Sequence, residues 1–473
     1  LQAIAFKPDF AEAHNNLGII FQKLERLDEA EKSFLQAIAF KPDFAEAHNN
    51  LGQTIKMLGR LDEAEESFSQ AIAFKPDFHD AYLNLCQLFE ETNRTDDVLL
   101  VIRNGSKKTT EKDGFLYYEA LIEFRKENYE TSWELVTKIN MNKITDYRQQ
   151  LLLKLKADLY HHKKDYNAAF EAYKLKNQYI KDSREYKSQY SEIYLNYQKK
   201  TVFQIKQLQK ESSYKSVVKP KWIQPTFLIG FPRSGTTLLD TILRTHSNID
   251  ILEEMPMVSE MEVSFGRLLT ISSIEDMDSA AAEIASGFYL EELEKHIEIG
   301  KKETIIDKLP LNLLKLPLIN QVFPNAKFIL ALRHPLDCVM SCWMQNFKLN
   351  SAMANMVDLD KIVDFYCTAM DILKLSQERY SLDVHRIRYE DLVVDFEGNI
   401  SSLLSFLNLK WEDELKSYQK TALSRGKIDT PSYSQIIKPI YKNASYRWKN
   451  YEKYLNPFKV QLEPWLNDYG YLD

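Results

Sequence analysis

The segment Gly230-Phe231-Pro232-Arg233-Ser234-Gly235-Thr236-Thr237 sets two glycines five positions apart around an arginine and a serine, with two threonines following. A glycine-flanked loop between a strand and a helix gathers backbone N–H groups at the positive end of the helix dipole. That is chemistry suited to a phosphate or a sulfate. The loop has the outer frame of a phosphate-binding loop, but Thr236 stands where a lysine would follow the second glycine. A second segment, Arg333-His334-Pro335-Leu336-Asp337-Cys338-Val339-Met340-Ser341, puts a cation at a strand end and a hydroxyl eight residues on. Pro335 suits the start of a helix, so Arg333 and Ser341 fit a second anion contact.

These segments need strands and helices to hold them. Short apolar or β-branched runs occur at Thr226–Gly230, Lys327–Leu332 and Val384–Arg388. Helical patterns occur at Thr237–His246, Met277–Ile299, Leu311–Val322, Leu336–Trp343, Leu359–Tyr380 and Glu397–Leu407. Such alternation predicts a parallel sheet covered by helices on both faces. Ligands of such sheets bind beyond the carboxyl ends of the strands, so residues 231–237, 333–337 and 389–392 are expected in one crevice.

The N-terminal part is built differently. Lys-Pro-Asp-Phe recurs at Lys7–Phe10, Lys41–Phe44 and Lys75–Phe78, with Pro8, Pro42 and Pro76 spaced 34 apart. His14, Leu17, Gly18, Phe21, Ala30, Phe34 and Ala37 are matched one period later by His48, Leu51, Gly52, Ile55, Ala64, Phe68 and Ala71. The pattern resembles the tetratricopeptide repeat, two antiparallel helices per unit. Small residues let the helices approach, and the proline ends the second helix. The expected organisation is an all-α repeat solenoid over 1–210, clear to 104 and degenerate over 105–210. A linker is expected at 211–221 and an α/β domain over 222–473. Such repeats imply a bound protein or peptide, the acceptor of the chemistry among the candidates.

Composition bounds the reading. The chain has 473 residues, 44% hydrophobic and 27% charged, with a net charge of −7. It offers no overall attraction to nucleic acid or an acidic membrane, so neither is expected as a partner, and an anion must meet a local group of cations. No run reaches the length of a membrane span. Cys86, Cys338, Cys342 and Cys367 lack metal-type pairing and read as reduced core residues in the cytoplasm. The chain starts at Leu1 and reads as a fragment, with any targeting segment upstream out of view. Oligomeric state is left open.

Pro232–Thr237, Arg333 with Ser341, and Tyr389-Glu390-Asp391-Leu392 together resemble the sulfotransferase family, over about Pro225 to Asp473. Ser434-Gln435-Ile436-Ile437-Lys438-Pro439, Arg447-Trp448 and Glu253-Glu254 are similar to tyrosylprotein sulfotransferases and to repeat-containing bacterial relatives. The resemblance implies a P-loop-like fold and the donor 3′-phosphoadenosine 5′-phosphosulfate, giving 3′,5′-adenosine bisphosphate. It implies that Arg233, Ser234, Gly235, Thr236 and Thr237 hold the 5′-phosphosulfate. Arg333 and Ser341 would hold the 3′-phosphate, assisted by Arg447, and Tyr389 and Ser434 would line the adenosine. Glu254 would be the general base, and Lys308 would steady the leaving phosphate beside Arg233. No metal is expected, because cations of the protein suffice for the anions.

Plainer roles stay open: Glu254 in a solvated acidic loop with Glu253 as the other base, Lys308 as a lysine before a helix, Tyr389 as a core aromatic. Where tyrosylprotein sulfotransferases carry an arginine that meets the peptide acceptor, this chain has Pro256, so the acceptor stays open. The stretch Glu260–Ile299 matches poorly and reads as a lid or an acceptor wall. Two rival readings are a P-loop nucleotide hydrolase or kinase, and a non-enzymatic repeat scaffold with an inactive nucleotide-binding domain.

Overall fold

In each of the first two repeats a glycine faces a phenylalanine. A Cβ on Gly18 would lie 2.6 Å from the Phe34 ring, and one on Gly52 would lie 2.8 Å from the Phe68 ring. Glycine is therefore what lets the two helices of these two pairs close. This geometry comes from a computed structural model that describes residues 4, 6–211, 223–266, 269–424 and 445–471. It shows two compact units, one centred on Leu1–Ala169 and one on Phe170–Arg425 with Asp429–Asp473.

The first unit is the expected helical solenoid. Its pairs are Ala11–Lys23 with Leu27–Phe40, Ala45–Met57 with Leu61–Phe74, and His79–Glu91 with Thr95–Lys108. One ring per repeat reaches a proline carbonyl: His14 to Pro8 at 2.8 Å, His48 to Pro42 at 2.9 Å, and Tyr82 donating to Pro76 at 3.2 Å. In the worn third repeat Cys86 and Val98 remain buried. The degenerate helices Asp113–Arg125, Tyr129–Lys138 and Asp146–His162 continue the stack. One apolar core runs through it from Ala30 to Leu159. Each pair buries its face only against the next, as repeat arrays must.

The division at Ala169 lies upstream of the boundary expected from sequence. Phe170 stacks on Trp343 at 4.5 Å and on Tyr454 at 3.6 Å. The ammonium of Lys176, fully buried, donates to the carbonyls of Trp343 and Gln345 at 3.1 and 2.7 Å. Helix Ser191–Glu211 packs on helix Leu359–Tyr380, with Tyr194 edge-on to Phe365. These helices therefore belong to the second unit. From residue 212 on, the expected linker lies outside the described residues.

The second unit is organised by five parallel strands: β1 Thr226–Gly230, β2 Ile249–Glu253, β3 Thr304–Lys308, β4 Lys327–Leu332 and β5 Asp383–Arg388. Their order is β2-β3-β1-β4-β5. Every residue of β1 is buried, as a central strand covered on both faces requires. The register aligns Gly230 with Ala331, Leu332 with Arg388, and Glu253 with Lys308. The carboxyl ends of all five strands thus form one edge. Strands β2 and β3 were not among the strands read from sequence, because each mixes acidic or basic residues into its apolar run.

Within the stretch read as a lid or an acceptor wall, one helix packs against the rest of the second unit. Helix Ser279–Glu294 buries Ala282, Ala285, Tyr289 and Leu293. Tyr289 lies 4.9 Å from the Phe323 ring, and its hydroxyl donates to Asp307 at 3.2 Å. No helix among the described residues is long and apolar enough to cross a membrane. The four cysteines are free thiols, with Cys86, Cys338 and Cys342 buried.

Candidate active site

Tight packing shapes the loop after β1. A Cβ on Gly230 would lie 2.6 Å from the Ser234 hydroxyl and 2.7 Å from the Ala331 carbonyl. Only glycine allows the loop to fold back this closely on β4. Gly235, at φ +104°, caps helix Thr236–Arg244, whose first N–H groups have no partner within the helix. Ser234 Oγ is buried and has no hydrogen-bond partner among the described residues. A buried hydroxyl is normally satisfied, so this one fits a bound acceptor such as a phosphate or sulfate oxygen.

Arginines converge on this loop. Arg233 Nε donates to Ser341 Oγ at 3.0 Å, and Arg333 Nη1 donates to the Arg233 carbonyl at 3.3 Å. Burial, then the positive charges of Arg333 and Arg447, push the Arg233 guanidinium down to about 10. Arg333 Nη2 lies 3.9 Å from the Asp337 carboxylate. Guanidiniums crowded this way are stabilised by an anion among them. Tyr389 closes the side of the loop: its ring would lie 3.3 Å from a Cβ on Gly235, and the Arg333 guanidinium sits 5.4 Å from its centre.

Arg447 reaches the cluster from the C-terminal segment. Asp337, one turn into helix Pro335–Met344, accepts the backbone N–H of Tyr446 at 2.7 Å and of Trp448 at 2.8 Å. Trp448 stacks on His334 with ring centres 5.0 Å apart. Glu390 accepts the His334 N–H at 3.0 Å and the Tyr471 hydroxyl at 2.8 Å. Sequence reasoning had assigned nothing to Asp337, Glu390 or Trp448. The available signal was the spacing of 337 and 341, which lines Asp337 and Ser341 along one face of helix Pro335–Met344.

The second cluster ends β2 and β3. Lys308 Nζ, fully buried, lies 3.1 Å from Glu253 Oε1 and 2.9 Å from Glu254 Oε1. Burial disfavours its charge, but Glu253, Glu254 and Asp240 outweigh that and hold its pKa above the usual lysine range. Asp240 lies on the helix that follows the loop, so Lys308 also borders the loop's own helix. The backbone N–H of Glu254 donates to the Lys308 carbonyl at 2.8 Å, and Glu254 has φ +56°. Its side chain is 42% exposed against 11% for Glu253, so Glu254 is the more open to an incoming molecule. On the opposite face of β3, Asp307 is buried between Tyr289 and Asn312.

The structure therefore brings Arg233, Ser234, Gly235, Thr236, Thr237, Arg333, Ser341, Tyr389 and Arg447 to the carboxyl ends of β1, β4 and β5. Lys308 and Glu254 lie at the same sheet edge, on β3 and just past β2. Ser434, with its run to Pro439, lies outside the described residues.

Residues 225–413 match the model of the Sulfotransferase family. Residues 11–44 and 33–66 match models of the Tetratricopeptide repeat. An uncharacterized protein of Aquifex aeolicus (strain VF5) is 32% identical over 244 residues, covering 50% of this chain and 31% of its own length. Protein-tyrosine sulfotransferase 1 of Danio rerio is 28% identical over 239 residues, covering 47% of this chain and 64% of its own. The Homo sapiens protein-tyrosine sulfotransferase 1 is 27% identical over 240 residues, covering 47% and 62%. The chain thus spans less than two thirds of the length of each of these relatives. Among solved structures, the sulfotransferase domain from the Synechococcus PCC 7002 olefin synthase aligns over 50% of this chain and 91% of its own, with 19% identity and a TM-score of 0.36. Residues 225–413 thus resemble a sulfotransferase-family domain, and matches to the tetratricopeptide repeat precede them in the same chain.

Proposed function

We propose that the second unit transfers the sulfonate of 3′-phosphoadenosine 5′-phosphosulfate to an acceptor hydroxyl, and that the repeats recruit a protein substrate or partner. The observation that carries this reading is the gathering of Arg233, Arg333 and Arg447 beside the buried, unpartnered Ser234 hydroxyl. That arrangement suits a ligand with two anionic ends. Arg233, Ser234 and the N–H groups from Gly235 to Thr237 would hold the 5′-phosphosulfate. Arg333, Ser341 and Arg447 would hold the 3′-phosphate, and Tyr389 with Ser434 would line the adenosine.

When bound, the donor supplies a sulfonate on a phosphate leaving group. The protein's share is proton transfer and fixed charge. Glu254 accepts the acceptor's hydroxyl proton at a carboxylate that Lys308 holds in an ion pair. Lys308 and Arg233 place permanent positive charge where negative charge collects. Protein cations serve both anionic ends in this scheme, so it includes no metal. The substrate names of the tyrosine sulfotransferase relatives make a protein tyrosine one candidate acceptor. Pro256 at the position of their peptide-contacting arginine argues for testing glycans and small molecules equally. The free, buried cysteines suit a reducing compartment, so we assign the reaction to the cytoplasm.

The test is incubation with sulfur-labelled donor and a lysate, followed by separation of protein, glycan and small-molecule fractions. Label should appear in one fraction with the parent chain and be absent with Glu254→Ala. No transfer to any fraction by the parent chain would refute the proposal.

A further inference from the structure

Asp337 stands four residues after Arg333 and one helical turn before Ser341, and it is buried. Its two carboxylate oxygens are divided between two backbone N–H groups, Tyr446 on Oδ2 and Trp448 on Oδ1. Those amides flank Arg447. Tyr446 holds φ +57°, so the chain turns sharply as it enters the clamp. Beyond it Trp448 is buried against the His334 ring, which fixes the far side of Arg447. Arg447 in turn acts on Arg233 together with Arg333.

We propose that Asp337 is a positioning residue that sets Arg447 onto the 3′-phosphate of the donor. The inference rests on the donor reading given above. A carboxylate can accept two N–H groups at once, and bonds to an ionised acceptor are the stronger kind. An asparagine offers one oxygen and would turn its own NH2 toward the other amide. The same helix that supplies Ser341 thereby anchors a segment that lies more than a hundred residues downstream. Arg333, 3.9 Å from the same carboxylate, completes the link between the two cations.

The test compares binding of 3′,5′-adenosine bisphosphate and 5′-AMP, which lacks the 3′-phosphate, by calorimetry on the full chain. Asp337→Asn should weaken the bisphosphate about tenfold, the loss of one charge-assisted hydrogen bond. It should leave 5′-AMP within about twofold. The double variant Asp337→Asn with Arg447→Ala should bind the bisphosphate no more weakly than Arg447→Ala alone, because the effect runs through Arg447. Equal weakening of both nucleotides, additive losses in the double variant, or an Asp337→Asn chain that does not fold would each overturn the assignment. If the parent chain fails to bind the bisphosphate, the donor reading itself falls. If the parent binds it and Asp337→Asn binds equally well, only the positioning role falls.

Discussion

Arg233 and Glu254 both hold the left-handed backbone region, at φ +71° and +56°. For a residue with a Cβ that conformation costs about 1–2 kcal/mol. Both side chains carry roles in the proposed reaction, where a strained backbone fixes the aim of a side chain. Glu254→Ala should keep bisphosphate affinity within twofold and lower sulfonate transfer at least about 100-fold, the usual worth of a general base. Glu253→Ala should be milder, since Glu253 is the more enclosed of the two. The opposite ranking would move the base role to Glu253. Arg233, Arg333 and Ser341 were legible in the sequence because they sit at fixed offsets from a glycine loop and a helix-starting proline. Asp337 was not, because its partners are backbone amides 109 and 111 residues away. No local pattern reports such a contact.

Strands β2 and β3 show the same obstacle one level up. Ile-Asp-Ile-Leu-Glu and Thr-Ile-Ile-Asp-Lys each end in charge, and by composition the first reads as a solvated acidic loop. In the sheet, the charges at their carboxyl ends form the Lys308, Glu253 and Glu254 cluster. The very residues that serve the site conceal the strands that carry them. By contrast β1, β4 and β5 were legible, as apolar or β-branched runs alternating with helical patterns. Alternation along β3 sends Asp307 to the face opposite Lys308, where burial pushes its carboxyl up to about 7. The unfolded chain titrates this group near ~4. Its contribution to stability is therefore fully present below about pH 4 and is lost as pH rises toward 7. Asp307→Asn should remove that slope: melting temperatures of the parent and the variant should diverge in the variant's favour as pH rises from 4 to 7. A gap that narrows with rising pH would contradict this.

The described residues proposed to hold the donor lie in the second unit, while the repeats form the first. The 34-residue period made the solenoid legible from its first three units. The division at Ala169 was not, because helices after it keep a repeat-like pattern and only their burial against Trp343 and helix Leu359–Tyr380 reveals their place. A substitution inside the solenoid should therefore spare donor binding. Gly52→Val, which meets the Phe68 ring, should destabilise the repeats by about 1–3 kcal/mol and leave bisphosphate affinity unchanged. Denaturant unfolding followed by circular dichroism, together with a nucleotide titration, checks both halves. The account as a whole depends on the donor. Calorimetric titration of the full chain with 3′,5′-adenosine bisphosphate and, separately, with ATP tests this most directly. The account predicts that the bisphosphate binds at least about tenfold tighter than ATP, and that Arg333→Ala abolishes most of that difference. Tight binding of ATP with none of the bisphosphate would contradict it.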